Sequence, residues 1–334
     1  MFEIPLLLIV IVLTALVFDF TNGAHDCANA IATVISTKVV SPRFAVGVAA
    51  LLNLMGALLG TEVAKTLGGG IVQYQTVAGS HFLVLAALIG AIAWNCITWH
   101  FGIPSSSSHA LIGGIIGAAV SEAGATVLNA RGIVENVLIP LIVSPLAGYA
   151  MGFALMWVVY WLCARMHRKK VTTVFRRLQL FSAAFMATSH GMNDAQKTMG
   201  IVTLALMIFG IQASVEVPLW VKLVCAATMA LGTAVGGWKI VKTMGSRIFK
   251  LEPQHAFTVD ISAALVITGA SLAGAPISTT HTISSTIFGV GSTKRLSAVR
   301  WKVANNLLTA WVLTLPAAAT ISFIANCLLL AFCG

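Results

Sequence analysis

The sequence predicts an all-α, polytopic integral membrane protein made of two homologous repeats. Of its 334 residues, 58% are hydrophobic and only 9% are charged, whereas soluble domains carry about 25% charged residues. Several apolar stretches reach the roughly 20 residues that a hydrocarbon core of about 30 Å requires. They lie at about 44–64, 82–101, 137–163, 219–238, 257–275 and 303–330, and residues 4–18 begin another. In addition, two polar motifs inside this apolar sequence each occur twice.

The repeated motifs indicate a duplicated half. Pro-Ser-Ser-Ser-Ser-His at 104–109 returns as Pro-Ile-Ser-Thr-Thr-His at 276–281, an offset of 172 residues, and Gly-Ala-His-Asp at 23–26 returns as Gly-Met-Asn-Asp at 191–194, an offset of 168. Two blocks that keep nearly the same offset are expected from duplication. We therefore divide the chain into a first membrane repeat, a basic linker and a second membrane repeat, at 1–164, 165–177 and 178–334.

The charge distribution is typical of a membrane protein. The net charge of +10 could indicate nucleic-acid binding, but the basic residues cluster in short loops, as they do on the cytoplasmic side of membrane proteins. We predict no nucleic-acid partner, a cytoplasmic linker at 165–177, and segment 239–250 on the same side. Segment 294–302 joins them only if 276–291 is part of a crossing. The six cysteines show no metal or redox spacing.

The first repeated motif lies in a polar signature at 18–30, matched by a second at 186–200. On a helix, Asn22, Asp26 and Asn29 share one face, as do His190, Asn193, Asp194 and Lys197 in the second copy. Gly23 is expected to break its helix, which would give the discontinuous helices known from transporters. An intramembrane carboxylate costs roughly 2.5–3.5 kcal/mol, so two at matched positions indicate a function. Interhelical hydrogen bonding is the structural alternative.

The second repeated motif predicts two re-entrant hairpins, at 104–120 and 276–291. Proline suits the first turn of a helix, so the hydroxyls that follow Pro104 and Pro276 fall at helix N-termini. There the free N–H groups and the helix dipole favour an anion. Two such hairpins from opposing repeats could enclose one oxyanion. The alternative is that these residues are N-caps and small packing residues.

These motifs resemble those of the inorganic phosphate transporter (Pit) family, of the bacterial low-affinity type. Asn-Gly-Ala-His-Asp-Cys-Ala-Asn-Ala at 22–30 is similar to the family signature, and Ser-His-Gly-Met-Asn-Asp-Ala-Gln-Lys-Thr-Met-Gly at 189–200 resembles its second-half counterpart. The two Pro-x-Ser-x-x-His blocks match the family's hairpins. The resemblance implies inverted repeats, phosphate held between the hairpins, and a coupling cation beside the signature Asp and Asn residues. A homodimer is compatible with it, although no residue pattern indicates one.

One departure from the family pattern bears on the coupling ion. The sodium-coupled branch has Asn immediately before the signature Asp, whereas this chain has His25. Because imidazole can carry a proton, we predict H⁺ symport, with phosphate moving either alone or as a neutral complex with a divalent metal. Sodium-coupled symport is the close alternative, and Asp26 and Asp194 would then be sodium ligands.

The predicted site contains two sets of residues and no resident cofactor or metal. The phosphate-binding set is Ser106, Ser107, Ser108, Ser278, Thr279, Thr280 and Lys197, and the cation- or proton-coupling set is Asn22, His25, Asp26, Asn29, Asn193, Asp194 and Gln196.

The sequence leaves two other functional classes open. A membrane-embedded serine hydrolase would use one of the Ser-rich blocks with His109 or His281 as base. An anion channel would share the hydroxyls but would not need Asp26 and Asp194. Both are less favoured than a transporter, because a duplicated hydrolytic site is unexpected and both carboxylates lie at matched positions. We predict a multi-pass protein of the bacterial cytoplasmic membrane, in contact with lipid, that is not an enzyme.

Overall fold

The computed structural model describes residues 5–69 and 81–333, and within these ranges it is helical with no strand. The α-helices are α1 (Leu6–Ser36), α2 (Pro42–Ala57), α3 (Glu62–Gly69), α4 (His81–Phe101), α5 (Ser107–Ala123), α6 (Ala130–Ile133), α7 (Ile139–Cys163), α8 (Arg168–Ile208), α9 (Leu219–Val235), α10 (Trp238–Lys242), α11 (Pro253–Leu272), α12 (Thr279–Lys294) and α13 (Trp301–Cys333). One π-helical turn joins α6 to α7 and another follows α10.

Five helices in the described ranges are long and apolar enough to cross a membrane, and a bent pair could form a sixth span. The five are α1, α4, α7, α11 and α13, and the pair is α9 with α10 and its π-helical turn. The all-α, multi-span prediction is thus confirmed. The stretch 44–64 is not one helix, because α2 ends at Ala57 and α3 begins at Glu62.

The predicted helix breaks at the signatures are wrong. Both α1 and α8 run without interruption through their signatures. Gly23 lies against the backbone of Met229 and Gly232, and Gly191 lies against the backbone of Asn53. The signature glycines therefore permit close approach of neighbouring helices. The break lies elsewhere, between α9 and α10, where the axis bends by 62° and Gly236 has a φ of 78° that favours glycine.

The helix order of the first half returns in the second, and the two halves interleave. Helix α5 packs on α13 of the other half, and its counterpart α12 packs on α7. In the same way α2 packs on α8, and α9 packs on α1. Each principal contact between the halves thus has a reciprocal contact, as expected for two related units around a pseudo-two-fold axis.

The first helices of the two halves run in opposite directions. Thr198 donates to Asp19 at 2.8 Å near one end of the pair, and Thr37 donates to Gln179 at 3.0 Å near the other. Later positions on α1 thus pair with earlier positions on α8, which defines an antiparallel pair.

The three basic segments meet at one end of the molecule, which we call the basic end. Arg168 pairs with Glu252 at 3.3 Å, and the backbone N–H of Arg300 donates to the carbonyl of Ile248 at 3.0 Å. The segment 294–302 therefore lies with the other two even though the chain turns back at 273–278. The second hairpin consists of α11 and α12 and is therefore longer than the predicted 276–291. The sequence left the side of 294–302 open, and the structure places this segment with the other two basic segments.

Only part of the basic segment 165–177 is a linker in the structural sense. Helix α7 ends at Cys163 and α8 begins at Arg168, so the non-helical connection covers residues 164–167. The other basic residues of the segment lie on the first turns of α8, where Arg176 donates to the carbonyl of Lys38 at 3.1 Å.

Close packing of α2 on α8 yields a stability prediction. A Cβ at Gly56 would overlap the carbonyl of Thr188, whereas a Cβ at Gly47 of the same helix would meet nothing within 4 Å. Overpacking costs about 1–3 kcal/mol, and replacing a helical glycine by alanine gains up to about 1 kcal/mol. Gly56→Ala should therefore lower the thermal unfolding temperature in detergent, measured by tryptophan fluorescence, and Gly47→Ala should leave it equal or raise it. Equal shifts for both variants would contradict this packing.

Candidate functional site

The candidate site lies where the N-termini of α5 and α12 meet between α1 and α8. The side-chain hydroxyl of Ser108 donates to the carbonyl of Ile277 at 3.1 Å, and the rings of His109 and His281 are 4.8 Å apart. The two Pro-Ser/Thr-His blocks, which are separated by most of the chain, are thus in direct contact. The prediction that both blocks contribute to one centre agrees with this contact.

The Asp26 carboxylate on α1 accepts hydrogen bonds from both blocks. Ser107 donates to its Oδ2 at 2.9 Å and Thr280 to its Oδ1 at 3.3 Å. Nδ1 of His25 lies 2.6 Å from the same Oδ1. All four side chains are buried, so the carboxylate is stabilised by these partners and not by bulk water.

The Asp194 carboxylate on α8 has a matching environment. Thr279 donates to its Oδ2 at 3.0 Å, Nε2 of His190 lies 3.0 Å from the same oxygen, and the Lys197 ammonium is paired with Oδ1. Ser107 and Thr279 occupy corresponding positions in the two repeats. Each repeat thus places the same hairpin hydroxyl on its own signature aspartate.

The signature asparagines bond to side chains other than the two carboxylates. Asn29 donates to Thr279 and Thr280 at 3.2 and 2.9 Å, and Asn193 donates to Ser271 at 2.8 Å. The amide nitrogen of Asn22 lies 4.0 Å from the sulfur of Met229. Within the described part of the chain, the side-chain carbonyl oxygens of all three amides are buried without a hydrogen-bond partner. Unpaired buried oxygens are unusual and are suited to bind a small cation.

The two aspartates are close enough to share a cation. Ligand atoms of Asp26, His190 and Asp194 all lie within 4.8 Å of one another, and all three residues are buried. Two carboxylates and an imidazole suit a divalent first-row metal, and the nearby amide oxygens suit a harder cation such as Na⁺. The structure therefore places a candidate cation site next to a set of hydroxyl donors.

Three predicted site residues have local structural roles. The hydroxyl oxygens of Ser106 and Ser278 accept from the backbone N–H groups of His109 and His281, so both serines are N-caps. The Gln196 carbonyl accepts from the backbone of Val63 at 2.8 Å and also of Ala64, at the start of α3. The two serines therefore act as N-caps, which was the structural alternative for these residues. The side chain of Gln196 lies against α3. Their roles in transport stay predictions.

Sequence reasoning missed two side chains of the site, Thr98 and Asn53. Thr98 lies 3.2 Å from Nε2 of His25, and Ser105 of the first hydroxyl block lies 3.4 Å from the same atom. Asn53 lies 3.2 Å from Nδ1 of His190. Thr98 and Asn53 are single polar residues inside apolar stretches. A polar residue that interrupts an apolar span is the signal that could have identified them.

Ser105, His25 and Asp26 form a chain of hydroxyl, imidazole and carboxylate. The order resembles that of a serine hydrolase, but the Oγ–Nε2 distance is 3.4 Å, and Ser105 donates to Thr98 at 2.8 Å instead. The hydrolase alternative had named His109 or His281 as base. Among residues 5–69 and 81–333 neither of these imidazoles bonds a serine side chain, and His281 stacks on Trp311 at 4.0 Å.

A buried ionic centre between two interleaved helical halves, in a chain with several membrane-spanning helices, defines a membrane transporter for small ions. Comparison with known proteins identifies the family. The model of the phosphate transporter family matches residues 22–322, and the chain belongs to this family. It is therefore a multi-pass protein of the bacterial inner membrane and not an enzyme, so the hydrolase alternative falls away.

Individual relatives agree with this assignment. A protein of Bacillus subtilis (strain 168), named a probable low-affinity inorganic phosphate transporter, is 47% identical over 321 residues, which are 96% of each chain. A protein of the same name from Rhizobium meliloti (strain 1021) is 46% identical over 95% of this chain and 94% of its own. A solved structure described as the sodium-dependent phosphate transporter matches 98% of this chain and 99% of its own, with a TM-score of 0.90 and 25% identity.

The N-cap geometry of the hairpins gives a prediction for Ser106. Ser106→Ala removes an N-cap and should lower stability by about 1 kcal/mol, whereas Ser106→Asn retains a side-chain acceptor and should restore most of the loss. The measurement is thermal unfolding of the purified protein in detergent. If Asn destabilises as much as Ala, the cap is not the main role of this hydroxyl.

Proposed function

We propose that this protein imports inorganic phosphate by symport with a cation, and that the cation is H⁺. The observation that carries the proposal is the matched pair of contacts in which Ser107 and Thr279 donate to Asp26 and Asp194. Through these contacts the groups that would bind an anion are directly joined to the groups that would bind a cation.

The anion would be held by the hydroxyls and N–H groups at the N-termini of α5 and α12. These positions offer neutral donors and the positive ends of two helix dipoles. Phosphate carries one to two negative charges at neutral pH, so ionised Asp26 and Asp194 would repel it. Positive charge beside the carboxylates removes this repulsion. A mobile cation or proton at the centre therefore strengthens the binding of phosphate, and phosphate strengthens the binding of that cation. That reciprocal effect is the thermodynamic basis of symport.

The helix arrangement supports inverted repeats as the framework for alternating access. Equivalent helices α1 and α8 are antiparallel, and the contacts between the halves are reciprocal, as described above. We infer that the two halves are related by an axis in the membrane plane. In transporters of this kind one unit moves against the other around a central site.

The proton assignment is supported by the environment of His25. Its imidazole connects the hydroxyls of Ser105 and Thr98 with Asp26, and an imidazole can carry a proton. Sodium is the competing assignment, because the solved relative is described as sodium-dependent. The amide oxygens of Asn22 and Asn29 would then complete a sodium site with Asp26.

Transport of a neutral metal–phosphate complex is compatible with the same centre. Asp26, which lies beside His190 and Asp194, would bind the divalent metal as part of the cargo, and the hydroxyls would bind the phosphate oxygens. This variant predicts that a divalent metal enters together with phosphate.

A pocket at the basic end would serve as the cytoplasmic exit. It has a volume of about 400 Å³, extends from Pro104 at the first hydroxyl block to Arg247, and is also lined by Thr243 and Asn306. Arg247 in the lining of this pocket would attract an anion. The positive-inside rule places this end in the cytoplasm.

The test is phosphate uptake into proteoliposomes with pH and Na⁺ gradients imposed separately, each with and without Mg²⁺. We expect accumulation of phosphate driven by an inward proton gradient alone. If accumulation requires Na⁺, then Na⁺ and not H⁺ is the coupling ion. Equilibration without accumulation would favour the channel alternative over symport.

Neutralising Asp194 gives a sharp prediction for coupling. Asp194→Asn keeps the size of the side chain but leaves Lys197 without its carboxylate, so proton-driven uptake should fall at least 100-fold. Glu122→Gln is the matched control, because Glu122 is a partly buried carboxylate bonded to Asn326 at 2.9 Å, away from the centre. The measurement is initial uptake rate normalised to inserted protein. Normal uptake by Asp194→Asn would exclude the proposed role.

A further inference from the structure

The two signatures are matched in their carboxylates but not in their charge. With the 168-residue offset, His25 corresponds to Asn193, Asp26 to Asp194, and Asn29 to Lys197. Asn29 is a neutral amide that donates to Thr279 and Thr280. At the same position of the second repeat there is a primary amine. The second half of the centre therefore carries a positive charge that the first half lacks.

The Lys197 ammonium is held inside the protein by Asp194. Lys197 is fully buried, and it is the one buried Lys or Arg in the described part of the chain. Its Nζ pairs with Oδ1 of Asp194, three residues earlier on α8. A buried ammonium is stable only when it is paired, so this contact explains how the lysine can be buried.

The buried carboxylates of this region differ in their partners. The Asp194 carboxylate, besides Lys197, is bound at Oδ2 by His190 and Thr279. Asp19 on α1 accepts from Thr198 at 2.8 Å, and its Oδ2 has no partner among the described residues. Asp26 has no lysine partner and contacts the titratable His25 instead.

From these contacts we propose that Lys197 is a tethered cation that permanently fills the second of two corresponding cation half-sites. A covalently attached ammonium neutralises Asp194 in every state but cannot be transported. The mobile coupling cation then binds only at the His25–Asp26 half-site, and one cation accompanies each phosphate. This inference rests on the proposed function and adds its stoichiometry.

The test compares wild type with Lys197→Asn, which copies the residue of the first half, and with Lys197→Arg, which keeps the charge. In proteoliposomes, phosphate uptake is measured against the concentration of whichever of H⁺ or Na⁺ drives wild type. The number of coupling cations is obtained from the phosphate gradient that balances a known cation gradient, corrected for phosphate protonation. We expect one coupling cation for wild type and for Lys197→Arg. For Lys197→Asn we expect two, with a steeper dependence of uptake on the cation.

The outcomes separate this inference from the proposed function. Phosphate exchange by wild type without any imposed gradient measures transport itself. If wild type shows no exchange, the proposed function is wrong. Exchange with an unchanged cation number in Lys197→Asn would overturn the tethered cation and leave the transporter standing. If Lys197→Asn does not insert, the wild-type number decides, because two or more coupling cations per phosphate contradict the proposal.

Discussion

The structure depends on how two carboxylates are kept in an apolar interior. Asp26 and Asp194 are buried, with ligand atoms that converge together with His190 within 4.8 Å, and the isolated charges would be costly there. Each carboxylate is therefore surrounded by donors from its own helix and from a hairpin tip. The close glycine contacts of α1 and α8, the capped starts of α5 and α12 and the contact between the tips all bring those donors within reach. A helix framework without this centre would have no need for such tight packing.

In the proposed symport, the centre also explains why the anion and cation sites would be adjacent. The hydroxyls of Ser107 and Thr279 are donors to carboxylates in this structure, yet the same hydroxyls are suited to bind a tetrahedral oxyanion. A ligand that takes over these donors leaves each carboxylate with fewer partners. Positive charge must then take their place. In the proposed mechanism, phosphate and the carboxylates compete for the same few hydroxyls, and this competition would couple the binding of phosphate to the binding of the cation.

Much of this could be predicted from the sequence, because the informative features are local. Apolar length predicted the spans, proline followed by hydroxyls predicted the starts of α5 and α12, and repetition predicted two equivalent halves. The errors concern features that depend on neighbours. Glycine is a residue type that often ends a helix, but α9 packs against Gly23 and α1 continues through it. The contacts of two predicted site residues also depend on neighbours. The Gln196 side chain binds the start of α3, and Lys197, placed in the phosphate-binding set, pairs with Asp194 in this structure. Three-dimensional proximity decides such cases, and one sequence does not contain it.

The interleaving of the halves has a consequence for how the protein is made. Helix α5 finds its main partner in α13 and α7 finds its partner in α12, so neither half buries its small-residue faces alone. During synthesis the first half must wait in the bilayer, with its polar signature already inserted, until the last helices leave the ribosome. In that interval Asp26 has no contact with Thr280, and α2 has no α8 to cover Asn53. The unfinished chain is therefore the state in which the charged interior is exposed to lipid, and membrane quality-control factors would encounter it there.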